Sequence, residues 1–508
     1  MIGTARAWFA AAALAALLVL VGPAVAHPPK PTAPNAAVSD GCQRSDLGIG
    51  FDTSPEWVYV YRSPAIRMAT GVVRVSHASL EDSILQHRSL DFNGNLVADA
   101  PSRYLIAGSP SQGTNNYAPD EGERRGRLHF EWESQTLPFF AWPSDGDRAT
   151  LWGSWIWDCG HWQSTANNTG GATTGEHSEL HPLSGIAVTR RASYLSRRGE
   201  TETDAFISNE GDASHAVEQC ALTHHPVSGT AYPQYDSGFK ACATDPANRI
   251  QPLARSYTFF APAPPRPSPT AVIRFRILTR IPGSSGIQHV RVLHDGLLVT
   301  VKLGSARHVV RYGRSFFVSW TAPAPHPPTA LEVTFKSILI NHADPNPAVP
   351  DPSGAHWSLY LDLNGYWQLL NKWASALTTH VTDNERITIN HTVKIWVPRG
   401  AAVSLLVQGR ECDEPAGKTI LGNYANLLYP CPANTDEQNP NLLDLFANDD
   451  PGTILTIYRS SGAALGSHVA SSAATVNFPG TGPTSFGDVP GQGQGDYTLT
   501  YTVKRAAR

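Results

Sequence analysis

The chain has 508 residues, 41% hydrophobic, 16% charged and 9% aromatic, which is long enough for two or three domains and a large buried core. The charged fraction is far below the roughly 25% of an average soluble protein, and Gly 42 with Pro 40 predicts many turns and few long solvated helices. Lys+Arg 39 against Asp+Glu 43 leaves a net charge of −4, which offers no field for wrapping nucleic acid or adhering to an anionic membrane.

In chain order, residues 1–26 read as a signal peptide. Arg6 supplies a positive start, Trp8 to Val21 an apolar stretch, and Ala24-Val25-Ala26 a small-residue cleavage site. The apolar run is shorter than the roughly 20 residues of a helical span and ends at Gly22-Pro23, so cleavage after Ala26 and a secreted product without an integral membrane anchor are expected. Residues 27–41 open with HPPKPTAPN, a Pro-rich tail that favours an extended polyproline form. The even set of cysteines, Cys42, Cys159, Cys220, Cys242, Cys412 and Cys431, reads as a disulfide framework in an oxidising compartment. Proximity favours Cys220 with Cys242 and Cys412 with Cys431, leaving Cys42 for Cys159, which sits in the most chemically loaded segment and would otherwise be a free thiol.

From residue 42 to 260 short strand signals alternate with polar loops, as in an N-terminal β-rich domain. Residues 261–269, APAPPRPSP, look like a linker. Beyond it, AVIRFRIL from Ala271, IQHVRVL from Ile287, LLVTVKL from Leu297, SFFVSW from Ser315 and LEVTFKSILI from Leu331 alternate apolar and polar residues, as do several later runs up to DYTLTYTV. The expected fold class is all-β, mainly antiparallel, with residues 270–508 forming a β-sandwich. One helix is expected over Tyr366 to Leu377. No repeat, nucleophile elbow, zinc-protease helix or dinucleotide turn is present. The run Gly417-Lys418-Thr419 mimics the end of a phosphate loop, but Cys412 stands where that loop needs glycine.

The densest group of ligand-type residues is GSWIWDCGHW from Gly153, followed by GEHSELHPLSGIAV from Gly175. On a strand, His177, Glu179 and His181 point the same way, about 6.5–7 Å from one to the next. The preceding segment reads as its hairpin partner, with Asp158 and His161 near the connecting loop. His161, His177 and His181 are the candidate metal ligands, and Glu179 and Asp158 the candidate catalytic carboxylates, a set suited to zinc, manganese or iron. In RLHFEWES, His129, Glu131 and Glu133 alternate with Leu128, Phe130 and Trp132, placing ionisable groups on one strand face as secondary candidates. His87 and Asp91 are further loop candidates. Polar alternation is equally what a solvent-facing strand shows.

The block W-I-W-D-C-G-H-W followed by E-L-H-P resembles a segment of exported bacterial proteins of unassigned activity. The resemblance spans about Trp132 to Arg191, and it implies that the histidine, the aspartate and the Glu-x-His-Pro unit belong together without supplying a reaction. In the C-terminal half, Asp344 and Asp351 lie in one Asp/Asn-rich loop and Asn448, Asp449 and Asp450 in another. This loop chemistry resembles the calcium-dependent lipid-binding sandwich family and makes Asp344, Asp449 and Asp450 calcium candidates, although turns demand the same residues. Trp152, Trp155, Trp157 and Trp162 crowd the candidate site; exposed, they would stack on sugar rings, and packed, they would serve a core. Two functions are thus expected to compete: metal-assisted hydrolysis, and a non-catalytic cell-surface or carbohydrate-binding protein with a structural polar or metal site.

Overall fold

The computed structural model describes residues 57–59, 66–78, 91–106, 126–132, 137–158, 177–191, 199–209, 253–284, 286–304, 309–324, 326–343, 355–370, 379–411, 451–479, 481–485 and 493–507. Regular structure among these is almost wholly strand, mainly antiparallel, as the alternating sequence pattern requires. The first half carries β1 (Trp57–Tyr59), β2 (Ile66–Ala78), β3 (Phe92–Ala98), β4 (Leu128–Trp132), β5 (Arg148–Asp158), β6 (His177–Thr189), β7 (Thr201–Ser208), β8 (Tyr257–Pro262), β9 (Ile273–Thr279), β10 (Ile287–Val292), β11 (Gly296–Lys302) and β12 (Arg311–Trp320). The second half carries β13 (Thr329–Ile340), β14 (Ala355–Leu363), β15 (Trp367–Leu369), β16 (Thr379–Val381), β17 (Arg386–Val397), β18 (Val403–Glu411), β19 (Thr453–Tyr458), β20 (Gly466–Ser471), β21 (Thr475–Phe478), β22 (Gly482–Ser485) and β23 (Tyr497–Arg505). No helix among the described residues is long and apolar enough to cross a membrane.

A nine-stranded sheet in the order β1-β5-β2-β3-β4-β6-β7-β12-β9 organises the first half. Because β5 also pairs with β6, strands β2, β3, β4, β6 and β5 close into a ring of hydrogen-bonded neighbours. Closure leaves these strands no free edge. A three-stranded sheet, β10-β11-β8, packs on this system through Trp152, Tyr257, Phe259, Val299 and Phe316. The Pro-rich run 261–269 therefore does not separate two domains: β9 and β12, which follow it, complete the sheet begun before it. Proline there ends β8 and shapes the turn into β9, a role as ordinary for it as that of a linker.

The second half is a sandwich of a four-stranded sheet, β17-β13-β23-β20, and a five-stranded sheet built on β15-β14-β18-β19 with β16 beside β14. Leu331, Val333, Leu359, Leu361, Val407 and Tyr501 fill the space between the sheets. The two halves share a core. Trp142 stacks on Tyr360 at 5.5 Å and 15°, the Trp367 indole N–H donates to the Pro143 carbonyl at 3.0 Å, and Arg410 donates to the Ala78 carbonyl at 2.6 Å.

Trp367 reaches that interface because Tyr366 to Leu369 is not the start of a helix. Asn364 and Gly365 have φ of 56° and 92°, the left-handed pair of a two-residue hairpin turn, and they fold β15 back onto β14. The Asn-Gly signal outweighs the helix-like spacing of the tryptophan and leucines after it. Residues 371–378, the rest of the expected helix, lie outside the described set.

Asp362 closes that hairpin by accepting the Gly365 N–H at 2.8 Å. Burial, with the Asp147 charge second, pushes its carboxyl up from 3.8 to about 6. The folded chain thus binds this proton more tightly than the unfolded one, so the group favours folding below its unfolded value of 3.8 and that contribution fades as pH rises through about 6. Asp362→Asn keeps an acceptor for Gly365 and is expected to raise stability above about pH 7 by on the order of 2 kcal/mol and to flatten the slope below it. Thermal melts of both proteins across this pH range measure the effect.

Candidate metal centre

The site begins with the alternation of β4. Leu128, Phe130 and Trp132 enter the core, so His129 and Glu131 take the opposite face. Pairing then sets their neighbours: Asn95 lies opposite His129 and Asn93 opposite Glu131 on β3, while parallel β6 brings Glu179 beside His129. Asp91 leads into β3, and His181 follows Glu179 by one strand period. Gly94 sits between the two asparagines because a Cβ there would lie 2.5 Å from the Phe130 ring. Relative exposure is 0% for Asp91, 1% for His129 and Glu179, 3% for Glu131 and 4% for His181, so these groups answer to one another rather than to water.

Glu131 is the hub. Its Oε1 accepts from Asn93 Nδ2 at 2.9 Å and lies 2.9 Å from His129 Nε2; its Oε2 lies 3.1 Å from His181 Nδ1. His181 Nε2 is 3.9 Å from Asp91 Oδ2, and its Nδ1 is 3.9 Å from Glu179 Oε2. His129 places Nδ1 3.0 Å from Asn95 Oδ1 while Nε2 faces Glu131. A neutral imidazole has one N–H. His129 satisfies both nitrogens as an imidazolium, as a neutral ring with Nε2–H on Glu131 and the Asn95 amide turned to donate to Nδ1, or with Nδ1–H on Asn95 and a cation at Nε2, the arrangement by which outer groups orient metal-bound histidine.

Two sets of donors lie close enough to hold a metal ion, Asp91/Glu131/His181 and His129/Glu131/Glu179, each with ligand atoms within 4.8 Å of one another. Atoms bound to one transition ion at about 2.0–2.2 Å lie roughly 3–4 Å apart, so the 2.9 and 3.1 Å contacts of Glu131 suit neighbouring corners of a coordination shell.

The structure brings His181 and Glu179 together with His129 and Glu131, joining the primary and secondary sequence candidates in one cluster. Asp91, placed on a loop by sequence reasoning, belongs to the same cluster. Asn93 and Asn95 were missed, although Asp91, Asn93 and Asn95 repeat at the strand period of two. Asp158 and His177 are cross-strand partners at the adjoining ends of β5 and β6. His161 and Glu133 lie outside the described residues, as do all six cysteines and the calcium candidates Asp344, Asp449 and Asp450. Trp152 and Trp155 are buried at 3% and 4%. Trp152 packs edge-on to Tyr257 and Trp155 donates to Ser178 Oγ at 2.8 Å, so these two rings serve the core, the packed one of the two expected roles.

No family model matches the chain, and no curated protein matches it. Among solved structures, a multidomain piece of extended synaptotagmin 2, its SMP domain with two C2 domains, is similar at 7% identity, covering 89% of this chain and 90% of that one, with a TM-score of 0.17. Superposition that poor speaks for neither a shared fold nor a shared function.

Truncating the hub tests the geometry without reference to any ligand. Glu131→Ala removes the acceptor of Asn93 and one partner of each imidazole in a buried site and is expected to cost roughly 3 kcal/mol or more in chemical denaturation. Asn95→Ala, which removes one partner of His129, is expected to cost about 1 kcal/mol.

Proposed function

We propose that the chain is an exported, disulfide-stabilised protein whose Asp91, His129, Glu131, Glu179 and His181 cluster holds a divalent transition metal, zinc, manganese or iron, as a structural centre. The observation that carries this reading is the pair of donor sets that share Glu131, Asp91/Glu131/His181 and His129/Glu131/Glu179, each with ligand atoms within 4.8 Å of one another, inside a site where no donor exceeds 4% exposure. Imidazole with carboxylate suits those ions better than calcium, which prefers an all-oxygen shell. Burial favours a structural over a hydrolytic role, since catalytic metal needs an open position that substrate can reach.

Metal-assisted hydrolysis is the second reading, supported by the three carboxylates Asp91, Glu131 and Glu179. They exceed by one the charge a divalent ion balances, and a spare carboxylate is the kind of group that deprotonates a metal-activated water.

Elemental analysis of protein purified without a histidine tag is expected to find near-stoichiometric transition metal, greatly reduced in Glu131→Ala and His181→Ala. Refolding with a chelator is expected to lower the melting temperature of the wild type, because an ion that binds only the folded state stabilises it. Metal-free wild-type protein would overturn both readings; loaded protein that hydrolyses ester or phosphoester substrates would favour the second.

Export to an oxidising compartment also predicts no free thiol on denaturation without reductant. A titration that finds two would point to Cys42 and Cys159 as the pair left open.

A further inference from the structure

The five donors of the buried cluster do not make a single coordination shell. They fall into two triads, His129/Glu131/Glu179 and Asp91/Glu131/His181. Among the described residues, no group with ligand atoms all within 4.8 Å of one another contains both histidines, or both Asp91 and Glu179. Atoms bound to one transition ion at about 2.0–2.2 Å are separated by at most the shell diameter, roughly 4.4 Å. One ion therefore serves one triad and leaves the imidazole and one carboxylate of the other unused.

The division follows from the two strands. β4 reads His129-Phe130-Glu131 and parallel β6 reads Glu179-Leu180-His181, with His129 opposite Glu179 and Phe130 opposite Leu180. Reversed order on strands that run the same way gives two rows, each holding one imidazole and one carboxylate. Asp91 adds a carboxylate to the row of His181, whose Nε2 lies 3.9 Å from its Oδ2.

Glu131 takes part in both rows. Its Oε1 lies 2.9 Å from His129 Nε2 and its Oε2 lies 3.1 Å from His181 Nδ1. A carboxylate that turns one oxygen to each of two adjoining donor sets is placed to bridge two ions, which two-metal centres hold about 3.5–4 Å apart. Charge accommodates that count. Asp91, Glu131 and Glu179 carry three negative charges in a site where no donor exceeds 4% exposure. One divalent ion leaves a net negative charge there, to be met by protonating the imidazole of the vacant triad. Two divalent ions leave a net positive charge that a single bridging hydroxide neutralises, with no buried imidazolium.

We propose that the cluster is a dinuclear centre in which one divalent ion is bound by His129, Glu131 and Glu179, a second by Asp91, Glu131 and His181, and Glu131 bridges the two. This rests on the metal reading above and adds to it the number of ions and the residue that couples them.

Zinc titration of the full chain, first stripped with a chelator and desalted, tests the count by elemental analysis after unbound ion is removed. The wild type is expected to retain two equivalents. His129→Gln and His181→Gln are each expected to retain one, because each removes the imidazole of a single triad. Glu131→Gln, whose amide offers one oxygen where the carboxylate offers two, is expected to lose at least one equivalent. Loading the wild type with manganese(II) gives a readout that needs no variant: ions sharing a bridging carboxylate are exchange-coupled, so the hyperfine pattern of isolated manganese is expected to be absent from the electron paramagnetic resonance spectrum. One equivalent in the wild type would overturn the dinuclear centre and leave the single-ion reading standing, whereas none would overturn both. Two equivalents that persist in all three variants, or two manganese ions without coupling, would also overturn it.

Discussion

A carboxylate at 3% exposure is tolerable only where donors replace the water it has lost. Glu131 meets that condition through three side chains from three strands: Asn93 on β3, His129 on its own strand and His181 on β6. The requirement reaches well beyond one residue. It needs β3 and β6 on either side of β4, in the register that sets Asn93 against Glu131 and Glu179 against His129. A slip of one residue would turn Phe130 and Leu180 into the polar cluster and Glu131 into the core. The polar groups thus specify the pairing, and the pairing keeps them satisfied.

A second buried charge network ties this ring to its surroundings. Arg190, at the end of β6, bonds Asp204 at 2.9 Å and Asp147 at 3.1 Å and also donates to the carbonyls of Trp142 and Phe140. It therefore holds the 139–147 turn against β7, and the same turn presents Trp142 to Tyr360 and Pro143 to Trp367. Burial, first of all causes, raises the carboxyls of Asp147 and Asp362. The joint between the halves is consequently held by apolar stacking and directed hydrogen bonds, with its acids as the strained component. Such pairs do more to fix geometry than to add net stability.

The legible part of the structure was the part governed by strand alternation. The face separation in LHFEW, the β5–β6 hairpin and the C-terminal sandwich all follow from a period of two in the sequence. Contacts between distant segments were not legible. Nothing in Asp91 or His129 announces that β3 lies beside β4, or that β4 meets β6 in parallel rather than as a hairpin, since pairing order depends on ring closure rather than local pattern. The Pro-rich run misled because composition marks an irregular backbone without saying whether the strands beyond it rejoin the same sheet. Asn364-Gly365 was readable as a hairpin turn, but the apolar spacing after it imitates a helix over so short a window.

Whole-chain charge and local charge differ for a related physical reason. Net charge counts every ionisable group equally, yet Asp91, Glu131, Asp147, Glu179, Glu202, Asp204 and Asp362 are all buried. Some are balanced by Arg190 or Arg280, and burial drives Glu202 and Asp362 toward their neutral forms. A group held inside and compensated there contributes little to the field felt by an approaching partner, whereas Arg291 and Lys302 act at the surface. The value of −4 therefore counts among its acids several groups whose charge is met or neutralised inside the fold.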